Sequence, residues 1–163
     1  AKALLKRIDT EPENKTQLAH QALDLMNDAI TLDEENDGAW TNRGAAKHNL
    51  GDYEGAINGY NEAIRLNPEN VGAWSNRGIA KGMLGHSQNA IDDFTKVIEL
   101  NPDDDTIFYV RGIAKLRLNN LDGAIDDFTK AIELNSNDDN AWNGRGKQKL
   151  HIGDYQGALI DCK

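Results

Sequence analysis

Residues 71–104 read VGAWSNRGIAKGMLGHSQNAIDDFTKVIELNPDD, and residues 37–70 read DGAWTNRGAAKHNLGDYEGAINGYNEAIRLNPEN. The two stretches share an aromatic residue, an Arg-Gly pair, a lysine and a closing Asn-Pro. The Arg-Gly pair recurs every 34 residues, at positions 43, 77, 111 and 145. A fixed period of this length is typical of repeat proteins, whose core is built by stacking neighbouring units.

Each unit contains the signals for two helices, which we call A and B. In the first unit, Ala39–Leu50 has no proline, and Gly51 follows it with the freedom to end a helix. The second half places apolar side chains three and four residues apart, and Asn67-Pro68 ends that pattern. Small residues such as Gly44 allow the two helices to approach closely. The sequence therefore predicts an all-α protein, a right-handed α-solenoid of antiparallel helix pairs.

This frame resembles the tetratricopeptide repeat (TPR) family, whose pattern is an aromatic residue, a Gly four residues later, an Ala-x3-Phe/Tyr pair and a Pro in the closing turn. The matching residues are Trp40, Gly44, Ala56, Tyr60 and Pro68; Trp74, Gly78, Ala90, Phe94 and Pro102; Phe108, Gly112, Ala124 and Phe128; and Trp142, Gly146 and Ala158.

The repeats predict one solenoid domain. Residues 1–16 hold an N-terminal helix or incomplete leading repeat, in which 3–8 is the candidate remnant of helix A, and 17–36 is helix B of that repeat. Complete repeats are predicted at 37–70, 71–104 and 105–138, and a fourth with an incomplete helix B at 139–163. Both ends look cut, so the sequence predicts a longer natural array.

In the TPR family, helix A lines a concave groove that holds peptides, so the resemblance implies a peptide-binding groove here. The implied groove residues are Thr41, Asn42, Ala45, His48, Ser75, Asn76, Ile79, Met83, Tyr109, Ile113, Leu116, Arg117, Asn143 and Lys147. For Ile79 and Ile113, packing between neighbouring A helices is the alternative role.

Some TPR proteins hold the carboxyl-terminal tail of chaperones in a clamp that needs basic residues on two A helices. Asn42 and Asn76 occupy the position of the clamp asparagine. The positions that need basic residues are occupied by Thr41, Thr106 and Val110 instead. We therefore expect a more apolar or internally located peptide rather than a tail.

Arg and Lys occupy two places of helix A where the family usually has Leu and Tyr, and the change recurs in every unit. The resulting charge ladder is Arg43, Lys47, Arg77, Lys81, Arg111, Lys115, Arg145 and Lys149. In one interpretation the charged groups pair with acids of helix B such as Asp92, Asp93, Asp126 and Asp127. In the other, the ladder receives acidic groups from a partner.

The composition argues against several other functions. Nucleic acid is not an expected partner, because binding its phosphate backbone needs a basic surface, whereas this chain has a net charge of −9 and a pI of about 4.8. No apolar run has the length of a membrane span. Asp33, Glu35 and Asp37 begin like a calcium loop, but its twelfth position is Gly44 instead of Glu. No metal or cofactor is predicted, because the histidines are scattered and the one cysteine, Cys162, takes a packing position of helix B.

The sequence shows no activated nucleophile or phosphate loop, so we do not predict an enzyme. The leading hypothesis is a protein–protein interaction module, an adaptor or scaffold that binds a partner's peptide or helix in the groove. The alternative is a structural scaffold that forms homo-oligomers through apolar faces at its terminal repeats, such as those of Leu18 and Leu159. The sequence does not identify the partner or the compartment. A cytoplasmic location is favoured only by its general frequency among proteins.

Overall fold

The computed structural model of the protein describes residues 12–161. Within this range the structure consists of helices and the turns between them. The helices are α1 Pro12–Leu32, α2 Asp37–Asn49, α3 Tyr53–Leu66, α4 Val71–Met83, α5 Ser87–Leu100, α6 Asp105–Arg117, α7 Leu121–Leu134, α8 Asp139–His151 and α9 Tyr155–Asp161.

Contacts divide the chain into two compact units, with the division between Leu84 and Gly85. In the first unit α1 packs against α2, α2 against α3 and α3 against α4, and α2 also contacts α4. In the second unit each helix from α5 to α9 packs against the next. The short turns between α2 and α3 and between α6 and α7 join the A and B helices of the predicted pairs, and the all-α repeat fold class is confirmed.

Short polar side chains begin most of these helices. Asn36 Oδ1 accepts a hydrogen bond from the Ala39 amide at 2.9 Å, and Asp52 Oδ1 accepts one from Gly55 at 2.8 Å. Each satisfies an amide that has no partner within its helix. Helix α2 is followed by Gly51 with φ 81°, which confirms the predicted helix stop. Asn119 takes the left-handed conformation after α6, with φ 58°.

The core of the first unit lies where a glycine meets an aromatic ring. Ala56, Tyr60 and Ala80 are buried together, with Ile57 against them. A Cβ on Gly44 would lie 2.6 Å from Tyr60 Cε1, so only glycine allows α2 and α3 to approach this closely. Burial raises the pKa of Tyr60 to about 12.

The second unit repeats this arrangement around Phe128, which is fully buried. A Cβ on Gly112 would lie 2.8 Å from the Phe128 ring, and one on Gly144 would lie 3.1 Å from it. A neighbouring cluster is formed by Phe108, Ala131, Ile132 and Ala141. Glycines on α6 and α8 thus allow one ring of α7 to fill the space between three helices.

The leading helix differs in extent from its sequence-based boundary. Helix α1 begins at Pro12 rather than at residue 17, and it ends at Leu32. Proline suits a first helical position because its missing amide would have no partner there. The assignment of residues 17–36 to a leading repeat stays a prediction, and both the 3–8 segment and Cys162 lie outside the described residues.

Candidate functional site

The predicted groove residues of the first unit lie on α2 and α4, two A helices in contact. Asn42 corresponds to Asn76 and Ala45 to Ile79, because each pair is separated by one 34-residue period. Ile79 and Met83 are exposed, at 38% and 55% of their surface, one turn apart on α4. We call Asn42, Ala45, Asn76, Ile79 and Met83 the first-unit face. Ser75 lies beside it on α4 and is half-buried.

An open groove of about 680 Å³ adjoins this face between α1 and α2. Its lining includes Asn42 and Ala45 of the predicted set, and sequence reasoning missed the α1 side. The lining residues are Leu18, Ala19, Ala22, Met26, Asn42, Ala45, Ala46 and Asn49. None of them is charged, so the groove offers apolar surface with amides at one side.

Thr41 takes part in the packing between successive repeats, and its side chain is not openly exposed for binding. Its hydroxyl donates to the Asp37 carbonyl at 2.9 Å and accepts from Asn70 Nδ2 at 3.0 Å. Asn70 Nδ2 also donates to Asp37 Oδ2 at 2.6 Å, and Asn67 Nδ2 donates to the same oxygen at 3.1 Å. The Asp37 carboxylate therefore holds the turn before α4, a role unrelated to the calcium-loop pattern.

His48, the remaining predicted residue of the first unit, is half-buried near the end of α2. Its ring meets Tyr53 edge-on, with 5.1 Å between the ring centres. Its Nε2 is buried without a hydrogen-bond partner among the described residues.

In the second unit the predicted residues of α6 are partly used by the core. Tyr109 is half-buried and packs against Phe128, with ring centres 5.7 Å apart. Ile113 and Leu116 are also half-buried, while Arg117 is exposed. The apolar side chains predicted for the groove on α6 are therefore less exposed than Ile79 and Met83 on α4.

The two predicted residues of α8, Asn143 and Lys147, are exposed and line a second groove of about 680 Å³. Sequence reasoning placed these two on the face but missed its other members. The other lining residues are Ser136, Asn137, Asp139, Trp142, Gly146, Leu150 and Asp161. This groove is more polar than that of the first unit.

The charge ladder of the second unit is paired within the protein. Arg111 Nε and Nη2 donate to both oxygens of Asp127 at 3.0 and 2.7 Å, and Lys115 Nζ lies 2.8 Å from Asp127 Oδ2. Asp127 is 3% exposed. Arg145 and Lys149 form the same arrangement with Asp161, at 2.7 and 3.0 Å. Of the two interpretations, the geometry of this unit corresponds to pairing with helix B acids.

The third nitrogen of each guanidinium group, Nη1, donates a hydrogen bond to helix B of the preceding repeat. Arg111 Nη1 donates to Thr95 at 3.1 Å, and Arg145 Nη1 donates to Thr129 at 3.2 Å. Each guanidinium also stacks on its own aromatic residue, 4.8 Å from the Trp142 ring centre in the case of Arg145. One side chain therefore connects three helices. Sequence reasoning missed the threonines, although both lie 16 residues before an arginine.

In the first unit the corresponding contacts are made by amides. Arg43 Nε donates to Asn27 at 2.9 Å, and Arg77 Nη1 donates to Asn61 at 2.8 Å. Position 59, which corresponds to Asp127, is Gly, and Lys47 pairs with Asp52 at 3.1 Å instead. Lys81 also has an interaction partner.

The Asp161 pair predicts a pH dependence of stability. Burial raises the pKa of Asp161, but hydrogen bonds from Arg145 and Lys149 outweigh it, so the pKa lies below its ordinary value of 3.8. A lowered folded-state pKa stabilises the protein above the unfolded pKa, and this contribution is lost as the pH falls through the folded value. The stability difference between the natural chain and Asp161→Asn should therefore be fully present above about pH 5 and shrink as the pH falls through 3.8 and below.

Urea unfolding at each pH would measure this difference. Asp126→Asn is the matched control, since Asp126 is an exposed acid of α7. A pH-independent difference for Asp161→Asn would contradict the expected linkage.

Residues 12–161 contain no group of three or more His, Cys, Asp or Glu side chains that could hold a metal ion. No helix in that range combines the length and apolar character needed to cross a bilayer.

Comparison with known proteins decides the family. A profile described as TPR repeat matches residues 46–85, and profiles described as tetratricopeptide repeat match 71–104 and 109–162. The chain belongs to the tetratricopeptide repeat family. No curated protein sequence matches this TPR chain significantly.

Solved structures of other TPR proteins have a similar fold. MamA residues 41-end from Desulfovibrio magneticus RS-1 is 20% identical, with 92% of this chain and 88% of that one covered and a TM-score of 0.82. YrrB, described as a TPR protein with an unusual peptide-binding site, is 21% identical, with 89% and 75% covered and a TM-score of 0.77. The first TPR of Spaghetti (RPAP3), bound to HSP90 peptide SRMEEVD, is 25% identical, with 74% and 96% covered and a TM-score of 0.70.

These matches support a protein-interaction module as the general function of this TPR chain.

Proposed function

We propose that this TPR protein is a non-enzymatic adaptor that binds an apolar segment of a partner protein on the first-unit face. The observation that carries the proposal is the exposure of Ile79 and Met83, on a face whose residues Asn42 and Ala45 also line an uncharged groove. Large apolar side chains in the open, flanked by amides that can pair with a peptide backbone, are typical of a recognition surface.

The chemistry of this face favours an apolar ligand over an acidic tail. All five of its residues are uncharged, and the hydroxyl of Thr41 is already engaged with Asp37 and Asn70. The RPAP3 repeat that resembles this chain is bound to the acidic peptide SRMEEVD. Here we propose an amphipathic helix or an internal peptide, with its apolar side chains against Ile79 and Met83.

A displayed library of random peptides tests the proposal. Peptides enriched on the natural chain would be synthesised and titrated by calorimetry against Ile79→Glu/Met83→Glu. We expect roughly micromolar binding by the natural chain and at least about tenfold weaker binding by the variant. Because the face is uncharged, affinity should change little between low and high salt.

Leu118→Glu is the matched control, because Leu118 is 47% exposed but lies in the turn after α6. Its peptide binding should equal that of the natural chain, and circular dichroism would show whether each variant keeps its helices. Equal binding by the double variant would exclude the first-unit face as the site.

The second candidate function is structural self-assembly, favoured by apolar side chains exposed on the terminal helices described here. Helix α1 exposes Leu18, Leu25 and Leu32, and α9 exposes Tyr155, Leu159 and Ile160. Such side chains are candidates for contact with another copy.

A further inference from the structure

Helix α1 carries an exposed apolar stripe with a regular spacing. Leu18, Leu25 and Leu32 are 56%, 63% and 88% exposed, and half-buried Ala22 and Ala29 lie between them. We call these five residues the α1 stripe. Their spacing alternates between four and three residues, which is the heptad pattern of a two-helix coiled coil.

The α1 stripe lies beside the face that packs within the unit, and two of its residues, Leu18 and Ala22, also line the open groove between α1 and α2. Buried Ala19 lines the groove together with residues of α2, and Asn27 on the same side of the helix accepts a hydrogen bond from Arg43. These residues lie to one side of the stripe, since successive side chains are about 100° apart around a helix. Helix α1 therefore has a second apolar face beyond the one that its own unit uses.

The α1 stripe is complementary to itself. Leucine and alanine alternate along it, so a second copy of the helix can place Leu18 and Leu25 opposite Ala29 and Ala22 and bring the two axes close together. In an antiparallel pair centred between Ala22 and Leu25, Ala22 of each copy lies opposite Leu25 of the other. A contact of this kind is isologous and closes into a dimer.

The flanking charges favour the antiparallel direction. Asp28 and Asp33 flank the stripe on its two sides. In a parallel pair, Asp28 of one copy would face Asp33 of the other, which would bring two carboxylates together. In the antiparallel arrangement Asp28 faces Gln21 of the other copy, whose amide can donate to it.

We propose that the protein forms a dimer in which the α1 stripes of two copies pack antiparallel. The proposal rests on the self-assembly candidate and narrows it to one helix. Leu18 and Ala22 also line the groove between α1 and α2, but the dimer is tested at Leu25 and peptide binding at Ile79 and Met83, so either proposal can fail without the other.

Sedimentation velocity on the full chain, from about 1 to about 500 μM, tests the proposal. We expect the mass to rise towards twice that of the monomer, and Leu25→Asp to stay monomeric throughout. Leu159→Asp, an equally polar change at an exposed leucine of α9, should assemble like the natural chain. A natural chain that stays monomeric at the highest concentration would overturn both the α1 dimer and the self-assembly candidate.

Mixing two variants tests the direction. Ala22→Glu and Leu25→Lys should each be monomeric alone, while an equimolar mixture should dimerise. In the mixed dimer the introduced carboxylate of one copy lies opposite the introduced ammonium group of the other, and the remaining Ala22–Leu25 layer is intact. A mixture that stays monomeric would overturn the antiparallel pairing. If Leu159→Asp abolishes assembly and Leu25→Asp does not, self-assembly holds through α9 and the α1 proposal fails.

Discussion

Replacing Phe128 by Ala is expected to lower the free energy of unfolding of the second unit by roughly 3–5 kcal/mol. The Phe128 ring is fully buried and fills the space between α6 and α8, against Gly112, Gly144 and the ring of Tyr109. Backbone at the two glycines cannot move in without separating the helices from their other contacts, so a large part of the cavity should remain.

Trp142 fluorescence can report this loss during urea unfolding. The other two tryptophans, Trp40 and Trp74, lie in the first unit and would be replaced by Phe, the residue found at the same repeat position at Phe108. Phe128→Leu should cost clearly less, because it keeps more of the volume. Exposed Leu118→Ala should change stability by less than about 0.5 kcal/mol. A loss below about 1 kcal/mol for Phe128→Ala would contradict the described packing.

Much of this arrangement could be predicted from the sequence because it depends on periodic small residues. Gly44 and Gly112 recur in register with Tyr60 and Phe128, so the sequence alone predicts that the A and B helices approach closely. Gly51 likewise marks a helix end, since a left-handed conformation there strongly favours glycine. The role of Gly144 was not predicted, because it depends on contact between neighbouring repeats.

The site was less predictable than the fold, since exposure depends on how much of a helix face its neighbours cover. Ile79 and Ile113 are equivalent in the sequence, yet the first is exposed and the second is half-buried. Thr41 has a hydroxyl of the kind that binds ligands, but this hydroxyl accepts a hydrogen bond from Asn70 in the turn before α4. Groove contact by any of these residues stays a prediction that the binding experiments test.

The arginine contacts show the same limit. The sequence indicated that Arg111 and Lys115 share a helix face and that acids lie on helix B, but it did not distinguish Asp126 from Asp127. The structure selects Asp127, because it points to the A helix while Asp126 is exposed.

Asp127→Ala is expected to cost roughly 3–5 kcal/mol of unfolding free energy at neutral pH. The change leaves two cations, Arg111 and Lys115, with side chains only 15% and 17% exposed and without the carboxylate that both contact. The neighbouring Asp126→Asn should change stability by less than about 0.5 kcal/mol, since Asp126 is exposed. The Trp142 assay described for Phe128 measures both.

A triple variant separates the cost of unpaired charge from the cost of lost packing. Arg111→Leu, Lys115→Tyr and Asp127→Ala together install the apolar residues that TPR proteins usually have at the first two positions and remove every charge of the cluster. Replacing a buried ion cluster by apolar residues of suitable volume is often neutral or stabilising. We therefore expect the triple variant to recover most of the stability that Asp127→Ala loses. If it is as unstable as Asp127→Ala, the carboxylate stabilises this unit through its specific hydrogen bonds, and the arginine contact to Thr95 would be the next bond to remove.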